Sequence, residues 1–285
     1  MTQIERGARA EAITVGSMEL RRVAIVTGAN HGIGAAAAEC LAADGVAVLL
    51  AYLRGRVVDD PNTPERYQAS RMTDGDAVAA RILAAGGEAV AIEADLLDDA
   101  TPARLFDAAE THYGPVDILI NNATGWASGD SFVAGTTDPV GRRTPGVTGA
   151  LFDHTFGVDA RAGALMIAEF SARLIDRDGT WGRIVGLTSG TSMGFPSEVT
   201  YGAAKAALEN YTMSAALELG RHGVTANMIH PPITDSGWVN DAVRQFAATS
   251  ADHFHVAEPD EVGRVIAWLC SDDARMVTGN LIRMR

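Results

Sequence analysis

Arg22-Val-Ala-Ile-Val-Thr-Gly-Ala-Asn-His-Gly-Ile-Gly34 is the stretch that decides the fold. Its first half is a β-branched run that predicts a buried strand, and residues 35–43 behind it predict a helix. A glycine-rich turn between strand and helix lets a phosphate approach the backbone, where the amides of the helix N-terminus face the anion. The glycine spacing departs from the commoner Gly-x-Gly-x-x-Gly, so the order of elements carries the prediction of a phosphate-binding turn. The alternative is a tight turn without a ligand.

The next buried strand, residues 46–51, ends without a carboxylate. In dinucleotide-binding folds an acidic residue at this place accepts the ribose hydroxyls, whereas a nearby arginine accommodates the 2'-phosphate of NADP. The sequence here is Ala51-Tyr-Leu-Arg54, and Arg56 follows. We therefore predict NADP(H) in preference to NAD(H), with two solvated arginines as the alternative. Residues 55–74, between this strand and the next predicted helix, are expected to form a long polar connection.

Two further strands are predicted at residues 89–93 and 116–120. Asp95 follows the first, where a carboxylate accepts an adenine amino hydrogen or caps the next helix. Asn121 and Asn122 follow the second, where they hold neighbouring strands together or touch the ligand. Helices are predicted at residues 76–85, 101–113, 151–175, 199–219 and 259–269. The small residues on one face of the third and fourth helices suit a subunit interface.

Tyr201-Gly-Ala-Ala-Lys205 places a phenol and an ammonium four residues apart at the start of an alanine-rich stretch. Side chains at i and i+4 lie on one face of a helix, so both groups can point into the same cleft. A nearby positive charge lowers the pKa of a tyrosine from its usual value of about 10. Tyr201 is therefore the candidate general acid/base. The alternative is a packed tyrosine beside a solvated lysine.

Composition limits the classes of function. The 285 residues are 47% hydrophobic, enough for one large α/β domain, and 36 acidic against 23 basic residues give a net charge of −13. This charge disfavours nucleic acid and anionic membranes as partners. Cys40 and Cys270 form no metal-spaced cluster, so no disulfide framework and no metal site is predicted, and a reducing cytoplasm is expected.

The ends of the chain and its apolar runs indicate no targeting or membrane segment. The longest apolar run, residues 46–53, is too short to cross a bilayer. Residues 1–19 have no signal-peptide pattern and are predicted to be an N-terminal extension, followed by one domain over residues 20–285.

The ordered motifs Thr27-Gly-x-x-x-Gly-Ile-Gly34, Asp95, Asn121-Asn-Ala123, Ser189 and Tyr201-x-x-x-Lys205 resemble the short-chain dehydrogenases/reductases. The resemblance covers about residues 20–285 and is strongest to the subgroup containing 3-oxoacyl-carrier-protein reductases. It implies a single doubly wound α/β domain of the Rossmann type, with a seven-stranded parallel sheet flanked by helices. It also implies a nicotinamide dinucleotide, interconversion of a carbonyl and an alcohol, and a homodimer or homotetramer.

The resemblance assigns roles to individual residues. Ser189 would hydrogen-bond the substrate oxygen, Tyr201 would exchange a proton with it, and Lys205 would hold the ribose hydroxyls and lower the tyrosine's pKa. Considered alone, Ser189 would be interpreted as a strand-end cap. The positions expected at the dinucleotide are Gly28, Asn30, His31, Gly32, Ile33, Gly34, Tyr52, Arg54, Asp95, Leu96, Asn122, Ala123, Pro231 and Thr234.

Two positions depart from the family pattern. Asp159 stands where the family commonly has an asparagine that connects the lysine through water to solvent. An ionised carboxylate accepts hydrogen bonds but donates none, so Asp159 is a candidate proton-relay residue, with a structural role as the alternative. Pro232 stands where a glycine is usual, which removes an amide donor and leaves Thr234 or Ser236 as the hydroxyl contact to the nicotinamide.

Two long segments are expected around the cleft. Residues 124–149 leave the carboxyl end of a central strand, and Trp126 within them either lines the substrate pocket or anchors the loop. Residues 236–257 resemble the variable substrate lid of the family. His253 and His255 have no cysteine or carboxylate at ligand spacing, which favours solvated histidines over a metal site.

The sequence therefore predicts an NADP(H)-dependent oxidoreductase that interconverts a ketone or 3-oxoacyl-type carbonyl and a secondary alcohol. In the family, a tyrosine–lysine spacing of four favours ketone chemistry over enoyl reduction. The alternative is a dinucleotide-binding sensor or assembly subunit of the same fold without turnover, which Asp159 and Pro232 keep open. The sequence leaves the substrate, the physiological direction and the choice between dimer and tetramer open.

Overall fold

The structure is a computed structural model that describes residues 21–55, 63–127, 129–190 and 193–285. The predicted N-terminal extension, residues 1–19, and Arg56 lie outside the described residues. The described residues form an α/β unit in which helices cover both faces of a parallel sheet.

The strands of this sheet alternate along the chain with helices. They are β1 (Val23–Thr27), β2 (Ala47–Tyr52), β3 (Ala89–Glu93), β4 (Ile118–Asn121), β5 (Gly182–Leu187), β6 (Val224–His230) and β7 (Leu281–Arg283). In the described ranges these seven strands are all parallel, in the order β3-β2-β1-β4-β5-β6-β7. The order reverses between β1 and β4, and at such a switch point a crevice opens outside the carboxyl ends of the strands. The predicted doubly wound fold is confirmed.

The helices pack on the sheet in two layers. They are α1 (Gly32–Ala43), α2 (Glu65–Arg71), α3 (Asp76–Ala84), α4 (Thr101–Tyr113), α5 (Gly149–Phe156), α6 (Ala162–Asp176), α7 (Val199–Leu219), α8 (Asp241–Thr249) and α9 (Pro259–Cys270). Residues of α1, α3 and α9 share one core cluster with the sheet, and residues of α4, α6 and α7 share the other.

The central strand β1 is buried on both faces. Ala24 and Val26 pack in the core on the α1 side, whereas Val23 and Ile25 pack in the core on the α4 side. Successive side chains of a strand point to opposite faces, so a strand that is covered on both sides appears in the sequence as a continuous apolar run. This packing fixes the end of β1, and with it the start of the glycine turn.

The helix boundaries agree with the sequence predictions where the pattern is local and strong. The bounds of β3, α4 and α7 agree to the residue. The sequence predicts one helix over residues 151–175, but a π-helical turn at Gly157–Arg161 separates α5 from α6. The short helices α2 and α8 lie in the segments where the sequence predicts a polar connection and a lid.

Gly263 of α9 packs against the backbone of α1, where an added Cβ would lie 2.8 Å from the Ala36 carbonyl carbon. We expect Gly263→Ala to lower the free energy of unfolding by about 1–3 kcal/mol, because overpacking forces the two helices apart. Gly220→Ala is the matched control, since Gly220 has helical backbone angles and its added Cβ would meet no described atom within 4 Å. Urea denaturation measures both variants, and equal stability would contradict the close packing.

Candidate active site

The glycine turn is closed onto the end of β4 by hydrogen bonds. Thr27 Oγ1 accepts from the backbone amides of Asn122 and Ala123, each at 3.1 Å. The Asn122 side chain donates to the carbonyl oxygens of Thr27 and Gly28 at 2.9 and 3.0 Å. Of the two alternatives for this asparagine, the structure therefore shows the one that joins neighbouring strands.

Glycine is required at the turn for steric reasons. Gly28 and Gly32 have φ angles of +66° and +56°, in the left-handed region. A Cβ on Gly34 would overlap the Gly28 carbonyl oxygen. The turn therefore leaves its backbone open to close approach by a ligand.

His31 begins α1 without capping it. Its side chain makes no capping hydrogen bond, and its buried Nδ1 has no partner within the described residues. Burial, followed by the charge of Arg71, lowers the pKa of His31 from 6.5 to about 4. Next to it, Ile33 packs against the core. An open helix N-terminus beside a glycine cradle fits an anionic group such as a dinucleotide phosphate.

Other residues expected at the dinucleotide hold the loops around the cleft. Asn30 Nδ2 donates to Thr73 O at 2.8 Å, and the ring of the buried Tyr52 packs on Gly75, where an added Cβ would lie 2.8 Å from Tyr52 Cδ1. Asp95 Oδ1 accepts from Leu97 N at 2.9 Å, which closes a local turn before α4 and does not cap that helix, whose N-cap is Ala100. Leu96 packs partly buried against the core on the α4 side. Their contacts to a dinucleotide stay predictions.

Arg54, the expected phosphate clamp, is paired with a carboxylate of β3. Its Nη2 lies 2.6 Å from Glu93 Oε2, and its Nε is 3.1 Å from both oxygens of that carboxylate. The pairing balances the charge of this exposed arginine. This pairing could not be predicted from the sequence, because β2 and β3 become neighbours only in the sheet.

Lys205 and Asp159 form a buried ion pair. Lys205 Nζ lies 2.8 Å from Asp159 Oδ1, and the two side chains are 2% and 0% exposed. The second carboxylate oxygen, Oδ2, accepts from Gly125 N at 2.7 Å. Asp159 lies on the π-helical turn, a distortion that is frequent at functional sites.

Tyr201 lies beside this pair, with Lys205 Nζ 5.6 Å from its ring centroid. Burial raises the pKa of Tyr201 well above its usual value, and the negative charges of Asp159 and Glu198 raise it further. The expected lowering of this pKa by Lys205 is not seen in this structure, where Asp159 Oδ1 lies 2.8 Å from the ammonium, and it stays a prediction for the site with a bound dinucleotide.

Ser189 follows β5 at the same edge of the sheet and is half-buried. Its hydroxyl caps no backbone group within the described ranges, so the strand-end cap is not the role that the structure shows. Ser189, Tyr201 and Lys205 therefore all come from segments at the carboxyl edge of the sheet.

The segment after β6 lies against the glycine turn. Pro231 and Pro232 lead to Thr234, whose hydroxyl donates to Pro232 O at 2.9 Å. A Cβ on Gly32 would lie 2.8 Å from Ser236 Cβ. Of the two hydroxyls that the sequence left open, that of Thr234 is thus used within its own turn, and Ser236 is the residue next to the phosphate-binding turn.

Tyr67 of α2 is a site residue that the sequence analysis missed. Its ring is 8% exposed and lies edge-on between His31 and Trp126, at 5.9 and 6.0 Å between ring centroids. Arg66 beside it reaches Asp235 Oδ2 at 3.3 Å. The signal that could have found it is an aromatic residue inside an unusually long connection.

Glu198, just before α7, is a second missed residue. It is buried, and it accepts from Trp126 Nε1 at 2.7 Å and from Arg142 at 2.8 Å. Arg142 also pairs with Asp138 at 2.6 Å. Of the two alternatives for Trp126, these contacts show the anchoring one.

In the part of the chain that the structure describes, no helix has the length and apolar character of a membrane span. Within the same residues, no group of three or more His, Cys, Asp or Glu side chains is arranged to hold a metal ion.

Comparison with known families and proteins places this arrangement among oxidoreductases. The family described as Enoyl-(Acyl carrier protein) reductase matches residues 67–284. The chain is 30% identical over 264 residues to the uncharacterized oxidoreductase YjdA of Bacillus subtilis, covering 92% of this chain and 94% of the relative. It is 33% identical over 268 residues to an NADPH-dependent aldehyde reductase-like chloroplastic protein of Arabidopsis thaliana, covering 92% of each chain.

A solved structure shares the fold over almost the whole chain. The angucycline C-6 ketoreductase LanV, crystallised with bound NADP, superposes with a TM-score of 0.72 at 29% identity. The superposition covers 93% of this chain and 94% of LanV.

The lowered pKa of His31 predicts that the free energy of unfolding decreases in acid. Folding favours the neutral form of His31, because its pKa is lower in the folded state than in the unfolded state. The contribution of this histidine to stability is therefore complete above pH 6.5 and is lost as the pH falls towards 4. Between pH 7 and about pH 4.5 we expect the parent to lose about 2 kcal/mol more unfolding free energy than His31→Gln. Urea denaturation at both pH values tests this, with the exposed His112→Gln as control. Equal losses in the parent and His31→Gln would contradict it.

Proposed function

This chain belongs to the short-chain dehydrogenase/reductase family, and on that premise we propose that it is an NADP(H)-dependent reductase that interconverts a ketone or 3-oxoacyl-type carbonyl and a secondary alcohol. The observation that carries the proposal is the buried cluster of Tyr201, Lys205 and Asp159 at the carboxyl edge of the sheet, where the glycine turn fits a dinucleotide phosphate.

The residues divide the work of the proposed reaction. A bound nicotinamide supplies or accepts the hydride at its C4. Ser189 orients the substrate oxygen with its free hydroxyl, and Tyr201 exchanges the proton with that oxygen. Lys205 holds the ribose hydroxyls, and Asp159 balances the ammonium charge with one oxygen and accepts from Gly125 N with the other.

The protonation state of Tyr201 favours reduction. Burial and the two carboxylates raise the pKa of this phenol, so it stays protonated at neutral pH. A protonated phenol is the form that donates a proton to a carbonyl oxygen, whereas alcohol oxidation needs the phenolate. The raised pKa therefore fits Tyr201 as the proton donor in carbonyl reduction.

NADP(H) and a ketone are proposed on different grounds. NADP(H) is supported by the absence of a carboxylate at the end of β2, by the name of the Arabidopsis relative and by the NADP bound to LanV. A ketone is supported by the four-residue spacing of Tyr201 and Lys205 and by the ketoreductase name of LanV. The cytoplasm and a homodimer or homotetramer stay predictions.

Tyr201→Phe tests the role of the phenol. We expect NADPH oxidation with a panel of ketones to fall by about 10²- to 10⁴-fold, while NADP⁺ binding measured by calorimetry is unchanged, because only the proton donor is lost. Tyr211→Phe is the matched control, since Tyr211 lies on the same helix and is 45% exposed. Full activity of Tyr201→Phe would refute the proposal.

The same assay distinguishes the proposed reductase from the alternative, a dinucleotide-binding sensor without turnover. If the parent binds NADP⁺ but oxidises NADPH with none of a broad panel of ketones and aldehydes, the dinucleotide-binding sensor replaces the reductase as the function. The pairing of Lys205 by Asp159 is the observation that favours this second candidate.

Asp159→Asn tests the carboxylate. The change removes a negative charge beside Tyr201 and leaves Lys205 unbalanced, so the pKa of the phenol falls. We expect the alkaline rise of alcohol oxidation to shift by about one pH unit to lower pH, with thermal unfolding as the check on folding. Asp153→Asn, an exposed position on α5, is the control. Complete loss of turnover in a folded variant would show instead that the carboxylate itself is required.

A further inference from the structure

We propose that Arg71, the last residue of α2, binds the 2'-phosphate of NADP(H) and gives this chain its preference for the phosphorylated dinucleotide. The inference rests on the proposed function for the identity of the ligand. It assigns the phosphate contact to the connection between β2 and α3 instead of to Arg54, the arginine nearest the strand end.

Arg54 is poorly placed to supply a net positive charge. It is exposed, and the Glu93 carboxylate contacts both its Nε and its Nη2. A phosphate at this point would meet an ion pair and would have to compete with Glu93 for the guanidinium. The sum of the two charges is zero, so the pair attracts an anion only weakly.

Arg71 lies between the glycine turn and the end of β2. Its carbonyl oxygen accepts from Gly55 N at 2.8 Å and from Asn30 Nδ2 at 3.5 Å. A Cβ on Gly55 would lie 3.2 Å from Arg71 Cβ and 3.6 Å from Arg71 Nε. The guanidinium group thus runs beside the residues that directly follow β2, where an arginine accommodates the 2'-phosphate in dinucleotide-binding folds.

The charge of Arg71 is not balanced by a neighbour. Among the described residues no carboxylate lies within ion-pair distance of its guanidinium, whereas the nearby Arg66 and Arg81 pair with Asp235 and Glu39. Its charge also reaches the turn, since it contributes to the lowered pKa of His31. In a chain with a net charge of −13, an unbalanced cation beside the strand end offers a dianionic phosphate a local attraction that the rest of the surface opposes.

Hydrogen bonds that hold the end of α2 against the glycine turn also favour phosphate binding at Arg71. Asn30 and Thr73 exchange hydrogen bonds, at 2.8 Å from Asn30 Nδ2 to Thr73 O and 3.4 Å from Thr73 Oγ1 to Asn30 O. The end of α2 is therefore tied to the turn that receives the phosphates, and the backbone of the half-buried Arg71 is held in place before a ligand arrives. Preorganisation of this kind lowers the cost of binding.

Binding of NADP⁺, NAD⁺, 2',5'-ADP and 5'-AMP to the full-length protein, measured by isothermal titration calorimetry, tests the proposal without turnover. We expect Arg71→Ala to weaken NADP⁺ and 2',5'-ADP binding by about 10- to 100-fold, the usual effect of losing a charge-assisted hydrogen-bonded pair. Binding of NAD⁺ and 5'-AMP is expected to stay unchanged. Arg71→Lys, which keeps the charge but loses the planar fork, should give an intermediate loss.

Matched variants distinguish the outcomes. Arg264→Ala removes an exposed, paired arginine of α9 and is the control for loss of one positive charge. Loss of NADP⁺ preference in Arg54→Ala or Arg56→Ala but not in Arg71→Ala overturns the proposal, as does an equal weakening of NADP⁺ and NAD⁺ by Arg71→Ala. A parent without any preference for NADP⁺ also overturns it. Failure of the ketone screen with the binding pattern intact would instead refute only the proposed reaction.

Discussion

The ion pair between Lys205 and Asp159 is the constraint on which the candidate site depends. A lysine and an aspartate that are almost completely removed from water are tolerated only together, because either charge alone in this interior would cost several kcal/mol. The carboxylate also accepts from Gly125 N, so one side chain joins the π-helical turn, α7 and the loop after β4. These three segments carry the residues that surround Tyr201, and their relative position is set by satisfying one buried charge.

The same constraint explains the protonation state of the site. A lysine beside a tyrosine is expected to acidify it, but the carboxylate 2.8 Å from Nζ offsets most of that effect. The pKa of Tyr201 is then governed by the desolvation of its phenol and by two negative neighbours, Asp159 and Glu198, all of which raise it. The electrostatics of a tyrosine–lysine pair therefore depend on the lysine's counter-ion as much as on the spacing of the pair.

Much of the fold could be predicted from the sequence because its signals are local. The apolar run before Gly28 predicts a strand that is covered on both faces, and the helices predicted at residues 101–113 and 199–219 coincide with α4 and α7 to the residue. The strand ends also indicate where the cleft lies. These features depend on a residue and its near neighbours in the chain.

What could not be predicted depends on contacts between distant segments. Glu93 meets Arg54 only because β2 and β3 pair in the sheet, and Arg142 meets Glu198 only when a long loop folds back onto α7. Neither pairing has a spacing that the sequence could reveal. The short helices α2 and α8 lie within segments that the sequence analysis assigned to a polar connection and a lid, and helices of seven or nine residues depend mainly on tertiary packing for their stability.

The position of Tyr67 has a consequence for how tightly the protein can hold anything in the cleft. The ring lies along the line from the phosphate-binding turn to Trp126, so a ligand on that line competes with a group tethered to the same chain. An intramolecular competitor acts at a fixed effective concentration that dilution does not change. The apparent association constant of such a ligand is therefore the intrinsic one multiplied by the fraction of molecules in which the ring is displaced, and a smaller side chain at that point would raise this fraction.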